Sequence, residues 1–178
     1  DIITQKANIL NGAKITSQYE QTIKRDIEQD LPLLLVKQVS VQKSFIDLVN
    51  GARIMFRPFD DPDKLRSLNL SMFVIVEASE VSAETFHQLK TRLRNQAAFN
   101  GDHDWRRGIV ETNPGAGWIR SDFLLNADEI HVHGSSHEQY PPSLTPDHNL
   151  SVHITTTDAN RYLPPNFISE LSANKPQW

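Results

Sequence analysis

Glu77 ends the run Ser71-Met72-Phe73-Val74-Ile75-Val76, in which five consecutive apolar residues meet a carboxylate with no polar transition. An acid so placed can do chemistry of two kinds. It can hold a divalent cation, or it can polarise a water for attack on a nucleoside triphosphate, as the acids of a Walker B strand do. The alternative is an ordinary surface Glu capping the exit of a buried strand, and the residues alone support both readings equally. A second group with chemical capacity is the histidine-rich stretch of His131, His133 and His137, with Asp128 and Glu129 upstream and His148 and His153 downstream. A His-x-His pair on a strand puts both rings on one face, as a zinc site would need. Scattered histidines in a segment poor in core formers fit a mobile insertion better, and no metal is assigned to them.

The elements that must position Glu77 follow from the pattern around it. An apolar run without alternation is a strand covered on both faces, as in a parallel sheet. Open α/β sheets bind their ligands beyond the carboxyl ends of such strands, which is where Glu77 stands. Ser82 is an N-cap, with Glu84 in the first turn, and Phe86, Leu89, Leu93 and Ala97 recur at three and four, predicting a helix over 82–97. Gly108-Ile109-Val110 is a second strand, halting at Glu111-Thr112-Asn113-Pro114. Upstream, Ser44–Val49 and Ala52–Phe56 flank Asn50-Gly51, which predicts a hairpin with a type I′ turn.

Elsewhere the signals are weaker. Residues 1–14 read as polar and irregular, with Asn11-Gly12 as a turn. Tyr19, Ile23 and Ile27 put a narrow apolar stripe on a helix over 17–30, and Val39-Ser40-Val41 alternates like a strand. Asp60 to Ser67 and Phe99 to Asp104 read as loops, and Trp118, Ile119, Phe123 and Leu124 mark a short amphipathic segment. Residues 126–149 read as a long mobile loop, Val152 and Ile154 as a strand, and Phe167, Ile168 and Leu171 as one face of a last helix.

Composition sets outer bounds. The chain has 178 residues, 38% hydrophobic and 22% charged, enough for one α/β domain with its own core. No apolar run is long enough to cross a membrane. With no cysteine, disulfide frameworks and thiolate metal sites are excluded. A formal net charge of −4 argues against a surface that coats nucleic acid everywhere, though not against a local basic track.

The order of these parts is informative. A hairpin ends in Phe-Arg-Pro-Phe-Asp-Asp-Pro-Asp-Lys-Leu-Arg-Ser, a strand ends in Val-Glu-Ala-Ser-Glu-Val-Ser, and a helix carries Gln-Leu-Lys-Thr-Arg-Leu-Arg. A strand ending in Glu-Thr-Asn-Pro and a tryptophan follow, then Thr-Asp-Ala-Asn-Arg-Tyr-Leu-Pro before a final helix. From about Asn50 to Leu171 this order resembles the ATPase domain of the large terminase subunit of tailed bacteriophages. The resemblance implies a P-loop NTPase-like α/β fold of the RecA/ASCE type, a mostly parallel sheet flanked by helices, incomplete on its amino-terminal side and with an added β-hairpin. It implies one partial ATPase domain over 1–178, with 158–178 approaching a linker. The implied activity is that of a motor coupling hydrolysis of ATP, with Mg2+, to translocation of double-stranded DNA into a procapsid. Its implied partners are a portal protein and a small terminase subunit, in a homo-oligomeric ring in the cytoplasm of the infected host, with no membrane.

By the same resemblance Glu77 is the catalytic acid, Thr112 and Asn113 sense the γ-phosphate, and Arg66 is an arginine finger offered to a neighbouring subunit; the plainer role for Arg66 is a solvated loop cation paired with Asp63. Two departures stand against the pattern. Val76 occupies the place of a first acid, so a magnesium ligand is missing or comes from elsewhere, and no G-x-x-x-x-G-K-[ST] loop is present to cradle phosphates. A fragment of a larger protein explains both the missing loop and the missing nuclease domain. Two other readings remain: another nucleic-acid motor or helicase of the P-loop superfamily, and a non-catalytic assembly module on the same scaffold.

Overall fold

The computed structural model describes residues 7–14, 24–99, 102–113, 117–133 and 147–156, with positions 159, 162–164, 166, 167 and 169. The chain gathers into two compact units, residues 1–115 and 116–178. In the first unit the strands are β1 (Asn8–Gly12), β2 (Val36–Ser40), β3 (Phe45–Leu48), β4 (Arg53–Phe56), β5 (Met72–Ile75) and β8 (Arg107–Val110). They form one sheet in the order β2-β3-β4-β1-β5-β8. The four strands β4, β1, β5 and β8 run parallel, and β3 and β2 extend them antiparallel. Ala97–Phe99 and Asp102–Trp105 pair separately as β6 and β7.

As expected, β5 lies inside the sheet, parallel to β8, with Phe73 and Ile75 buried and Val74 half-buried. The helix α2 (Ala83–Arg92) connects them, and Ser82 caps it, its Oγ accepting the Thr85 N–H at 3.1 Å. It ends earlier than its apolar spacing suggested. Leu93 bridges to Leu70 instead of continuing the helix, and Ala97 joins β6, so the chain between helix and β8 is a hairpin where a loop was expected.

The largest departure from the sequence reading is β1. Residues expected to be an irregular lead-in with a turn at Asn11-Gly12 form the strand between β4 and β5. Leu10 is fully buried, in register with Met55 on one side and Phe73 on the other. Gly12 is needed there for closeness of approach: a Cβ would lie 2.1 Å from the Arg57 carbonyl oxygen and 2.9 Å from the Phe59 ring. Gly108 serves the same end in β8, where a Cβ would meet the Phe73 ring at 2.4 Å. Glycine in a strand can mark such a close approach as readily as it marks a turn.

Each sheet face has its own cover. Phe73 packs edge-on against Phe86 of α2, ring centroids 6.2 Å apart, with Leu89 also buried. On the other face Ile46, Phe56 and Ala13 form a core against which Ile54, Leu48, Val36 and Leu31 pack, with Ile27 of the helix α1 (Arg25–Asp30). The remainder of the helix expected from residue 17 lies outside the described residues. Ser71, fully buried, ties the strand starts together: its Oγ accepts from the Asn95 side-chain amide at 2.8 Å and from the Asn8 N–H at 3.3 Å.

The β3–β4 hairpin turns as predicted, but by a different route. Gly51 alone takes a left-handed conformation (φ 86°), and the Leu48 N–H donates to the Ala52 carbonyl at 2.8 Å, closing a three-residue loop in place of a type I′ turn. In the second unit a π-helical turn (Arg120–Leu124) precedes β9 (Ala127–His133) and β10 (Asp147–Thr155), which pair in parallel. Strand therefore occupies both ends of the stretch expected to be a loop; its middle, and most of the expected last helix, lie outside the described residues.

Gly12→Ala is expected to destabilise the fold by about 3 kcal/mol, the scale of core overpacking. Ser82→Ala, which removes only a cap, should cost about 1 kcal/mol in the same urea titration. Equal effects would contradict a tightly apposed β1.

Candidate functional site

The parallel register of β5 and β8, Met72 opposite Arg107 through Ile75 opposite Val110, brings the residues after Ile75 and Val110 to one edge of the sheet. The backbone then changes direction sharply. Glu77 adopts a left-handed conformation (φ 52°, ψ 51°), uncommon for a residue with a Cβ, and opens a 3-10 turn, Ala78–Glu80. This bend aims three successive N–H groups at the exit of β8. The Glu77 N–H donates to Glu111 Oε2 at 3.3 Å, the Ala78 N–H to the Glu111 carbonyl at 3.0 Å, and the Ser79 N–H to Thr112 Oγ1 at 3.1 Å.

The side chain of Glu77 is half-buried, and one of its oxygens, Oε2, accepts the Asn113 amide at 3.5 Å. Thr112 Oγ1 donates to the Asn113 carbonyl at 3.1 Å, which steadies that segment. Glu77, Thr112 and Asn113, singled out separately in the sequence, therefore form one constellation. An amide donor on one carboxylate oxygen orients the carboxyl group, and the carboxylate keeps further acceptor positions for a water or a cation.

Glu111 is the residue that sequence reasoning passed over. Val76 offers no ligand, but Glu111 brings a second carboxylate to this edge from the neighbouring strand. Its signal was present, since Gly108-Ile109-Val110-Glu111 repeats the apolar run into an acid seen at Glu77. No G-x-x-x-x-G-K-[ST] loop occurs in the sequence to cradle phosphates at this edge. Among the described residues, the glycines with positive φ are Gly51, in the hairpin loop at the other end of β4, and Gly117 in the second unit. The acids and the amide thus suit a water or a cation.

Arg66 stands apart from this constellation. It follows the 3-10 turn Pro62–Leu65 on the approach to the amino end of β5, whereas Glu77 leaves the carboxyl end. Its guanidinium lies 2.8 Å from the Asp63 carboxylate, with both side chains about two-thirds exposed. A pair so exposed contributes about 0–1 kcal/mol and leaves the arginine free to exchange partners.

The histidines gather on one face of the β9–β10 pair. His131 stacks on its cross-strand partner His153 at 4.6 Å, and His133 Nε2 lies 3.3 Å from His153 Nδ1. His131 Nε2 is 3.1 Å from Glu129 Oε2. Among the described residues no group of three His, Asp or Glu is arranged to hold a metal ion. His137 lies outside the described residues.

A sequence model of the phage terminase large subunit family matches residues 5–177. The PBSX phage terminase large subunit of Bacillus subtilis (strain 168) is 30% identical over 129 residues, which is 71% of this chain and 28% of that protein. Among solved structures, the large terminase of a thermophilic bacteriophage superposes with a TM-score of 0.64 at 13% identity, covering 97% of this chain and 39% of that one. The same thermophilic-phage protein in complex with ADP gives 0.66 at 12% identity, covering 97% and 38%. The Thermus phage P74-26 large terminase ATPase domain gives 0.58 at 15% identity, covering 98% and 73%. At these identities the superpositions establish the fold, a mixed α/β sheet shared with large terminase ATPase domains. The chain spans well under half the length of the PBSX protein and of the thermophilic-phage terminase.

Glu77→Gly removes the carboxylate and relieves the left-handed strain of a side-chain-bearing residue. Urea denaturation is expected to show a fold as stable as the parent, or up to about 1 kcal/mol more stable. A clear loss of stability would mean that the Glu77 side chain holds the edge together and is not merely displayed by it.

Proposed function

Because the chain belongs to the phage terminase large subunit family, we propose that it forms part of the motor ATPase that couples ATP hydrolysis to translocation of double-stranded DNA into a procapsid. The observation that supports this reading is the edge formed by β5 and β8, where the Asn113 amide donates to Glu77 and leaves the carboxylate with acceptor positions for a water. Since the chain spans 28% of the PBSX relative, the activity proposed is that of a longer protein. A portal protein, a small terminase subunit and further copies in a ring are its partners in this proposal, and the cytoplasm of an infected bacterium its setting.

The steps assigned to this chain's residues are few. Glu77 accepts a hydrogen bond from a water and takes up its proton as the water attacks in line, the role of a general base. Asn113 keeps the carboxylate turned toward that water, and Thr112 ties the end of β8 to the turn after β5, so a shift of either strand end reaches Glu77. Glu111 supplies a second acceptor at the edge. ATP with Mg2+ would supply the phosphoanhydride that is broken. Its phosphates need a cradle from a part of the protein outside these 178 residues. Arg66, which precedes β5 whereas Glu77 follows it, is assigned in this proposal to a neighbour's nucleotide, where arginine fingers raise turnover by several orders of magnitude.

In the full-length protein, Glu77→Gln is expected to lower DNA-stimulated ATP turnover by about two orders of magnitude or more with ATP affinity little changed, the size of a general-base loss. Near-normal turnover would return Glu77 to the role of a strand cap. Arg66→Ala should be inactive alone and should also depress activity when mixed with parent subunits; additive behaviour in mixtures would remove the finger role. This chain by itself should show no ATP binding by isothermal titration with Mg2+, and micromolar affinity would place a cradle within it.

A further inference from the structure

The β3–β4 hairpin carries a second charged feature that hydrolysis does not use. Phe45 and Met55 are cross-strand partners, as are Asp47 and Arg53, so the pleat puts these four side chains on one face. Lys43, Phe45, Arg53, Met55 and Arg57 together line an open groove of about 360 Å3. Its centre is ordered. The Arg53 guanidinium lies 3.9 Å above the Phe45 ring and makes a two-pronged ion pair with Asp47, at 2.7 and 2.9 Å. The hydrogen bonds that Arg53 donates to Asp47 raise the Arg53 pKa above its ordinary value, burial opposing them.

Lys43 and Arg57 differ from Arg53 in having no paired counter-charge among the described residues. Both are exposed, and among the described residues neither side chain has an ion-pair or hydrogen-bond partner. Lys43 and Arg57 line one groove, and like charges brought together repel each other. An anion between them would relieve the repulsion. The groove is an open sheet face with an apolar floor, without the convergent backbone N–H groups that enclose a free phosphate ion, so it suits an extended chain of phosphates lying across it. Its position is also informative. Arg57 leaves the carboxyl end of β4, which is parallel to β1 and β5, so it emerges at the same sheet edge as Glu77, two strands and roughly 10 Å across.

We propose that the open face of the β3–β4 hairpin, through Lys43, Arg57 and the Phe45-supported Arg53, binds the phosphate backbone of duplex nucleic acid. This rests on the packaging reading above and locates its DNA contact on a strand that shares the sheet with the hydrolytic edge. Base identity plays no part, because phosphate contacts position a duplex without reading its sequence.

The test is fluorescence anisotropy of the full-length protein with a labelled DNA duplex across a salt series. Lys43→Gln/Arg57→Gln should weaken binding at least tenfold at low salt and reduce the slope of log K against log salt by about 1.8, or about 0.9 for each phosphate that is no longer neutralised. Lys43→Arg/Arg57→Lys should keep the parent slope, and Arg25→Ala, on the helix of the opposite face, should leave it unchanged. An unaltered slope in the Gln double variant, with tight parent binding, overturns the groove and leaves the packaging reading intact. Failure of the parent protein to bind duplex at all overturns that reading itself. Competition by inorganic phosphate beyond its contribution to ionic strength would show a small-anion site and overturn the proposal.

Discussion

Parallel pairing of β5 with β8 is the interaction on which the rest of this structure depends. Each strand alone would deliver an isolated acid to solvent. In register they deliver Glu77, Glu111, Thr112 and Asn113 to one place, and the left-handed turn at Glu77 locks the two exits together through three backbone N–H groups. The buried strand interiors make this edge rigid, because Phe73 and Ile75 have no room to shift against Leu10, Gly108 and Phe86. Strain at Glu77 is therefore held by packing elsewhere.

That dependence explains which parts could be read from the sequence. The apolar run into Glu77, the Ser82 cap and the Asn50-Gly51 hairpin were legible because local chemistry decides them. The β1 strand was not, because Asn11-Gly12 has the local character of a turn and becomes a strand only when Gly12 lets Arg57 and Phe59 close over it. The early end of α2 is of the same kind: Leu93 has helical spacing, but its pairing with Leu70 wins. Long-range contact also hid Glu111, whose importance lies in the neighbour that the register gives it. The strand read at Val152 and Ile154 is the second half of β10, whereas β9 was missed because alternating His and Val on an exposed two-stranded sheet bury little, and burial is what makes a strand visible in a sequence.

The constellation that results is one-sided. Carboxylates and an amide suited to a water stand at the sheet edge, and the glycine-lysine loop that would grip phosphates is missing from the sequence. Such a division has a physical logic. Groups that act on water and groups that bind phosphate make independent demands on the backbone, one needing a strand exit and the other a nest of N–H groups at a helix start. A protein can therefore carry them on separate segments, provided that one sheet aligns them.

A structure of the full-length protein trapped with Mg2+, ADP and a planar phosphoryl mimic tests this account most directly. The account predicts that the Glu77 carboxylate lies about 2.6–3.2 Å from the water in line with the mimic, within hydrogen-bonding reach. It also predicts that the groups gripping the β-phosphate come from a segment outside these 178 residues. A nucleotide bound away from the exits of β5 and β8, with Glu77 facing bulk solvent, would contradict it.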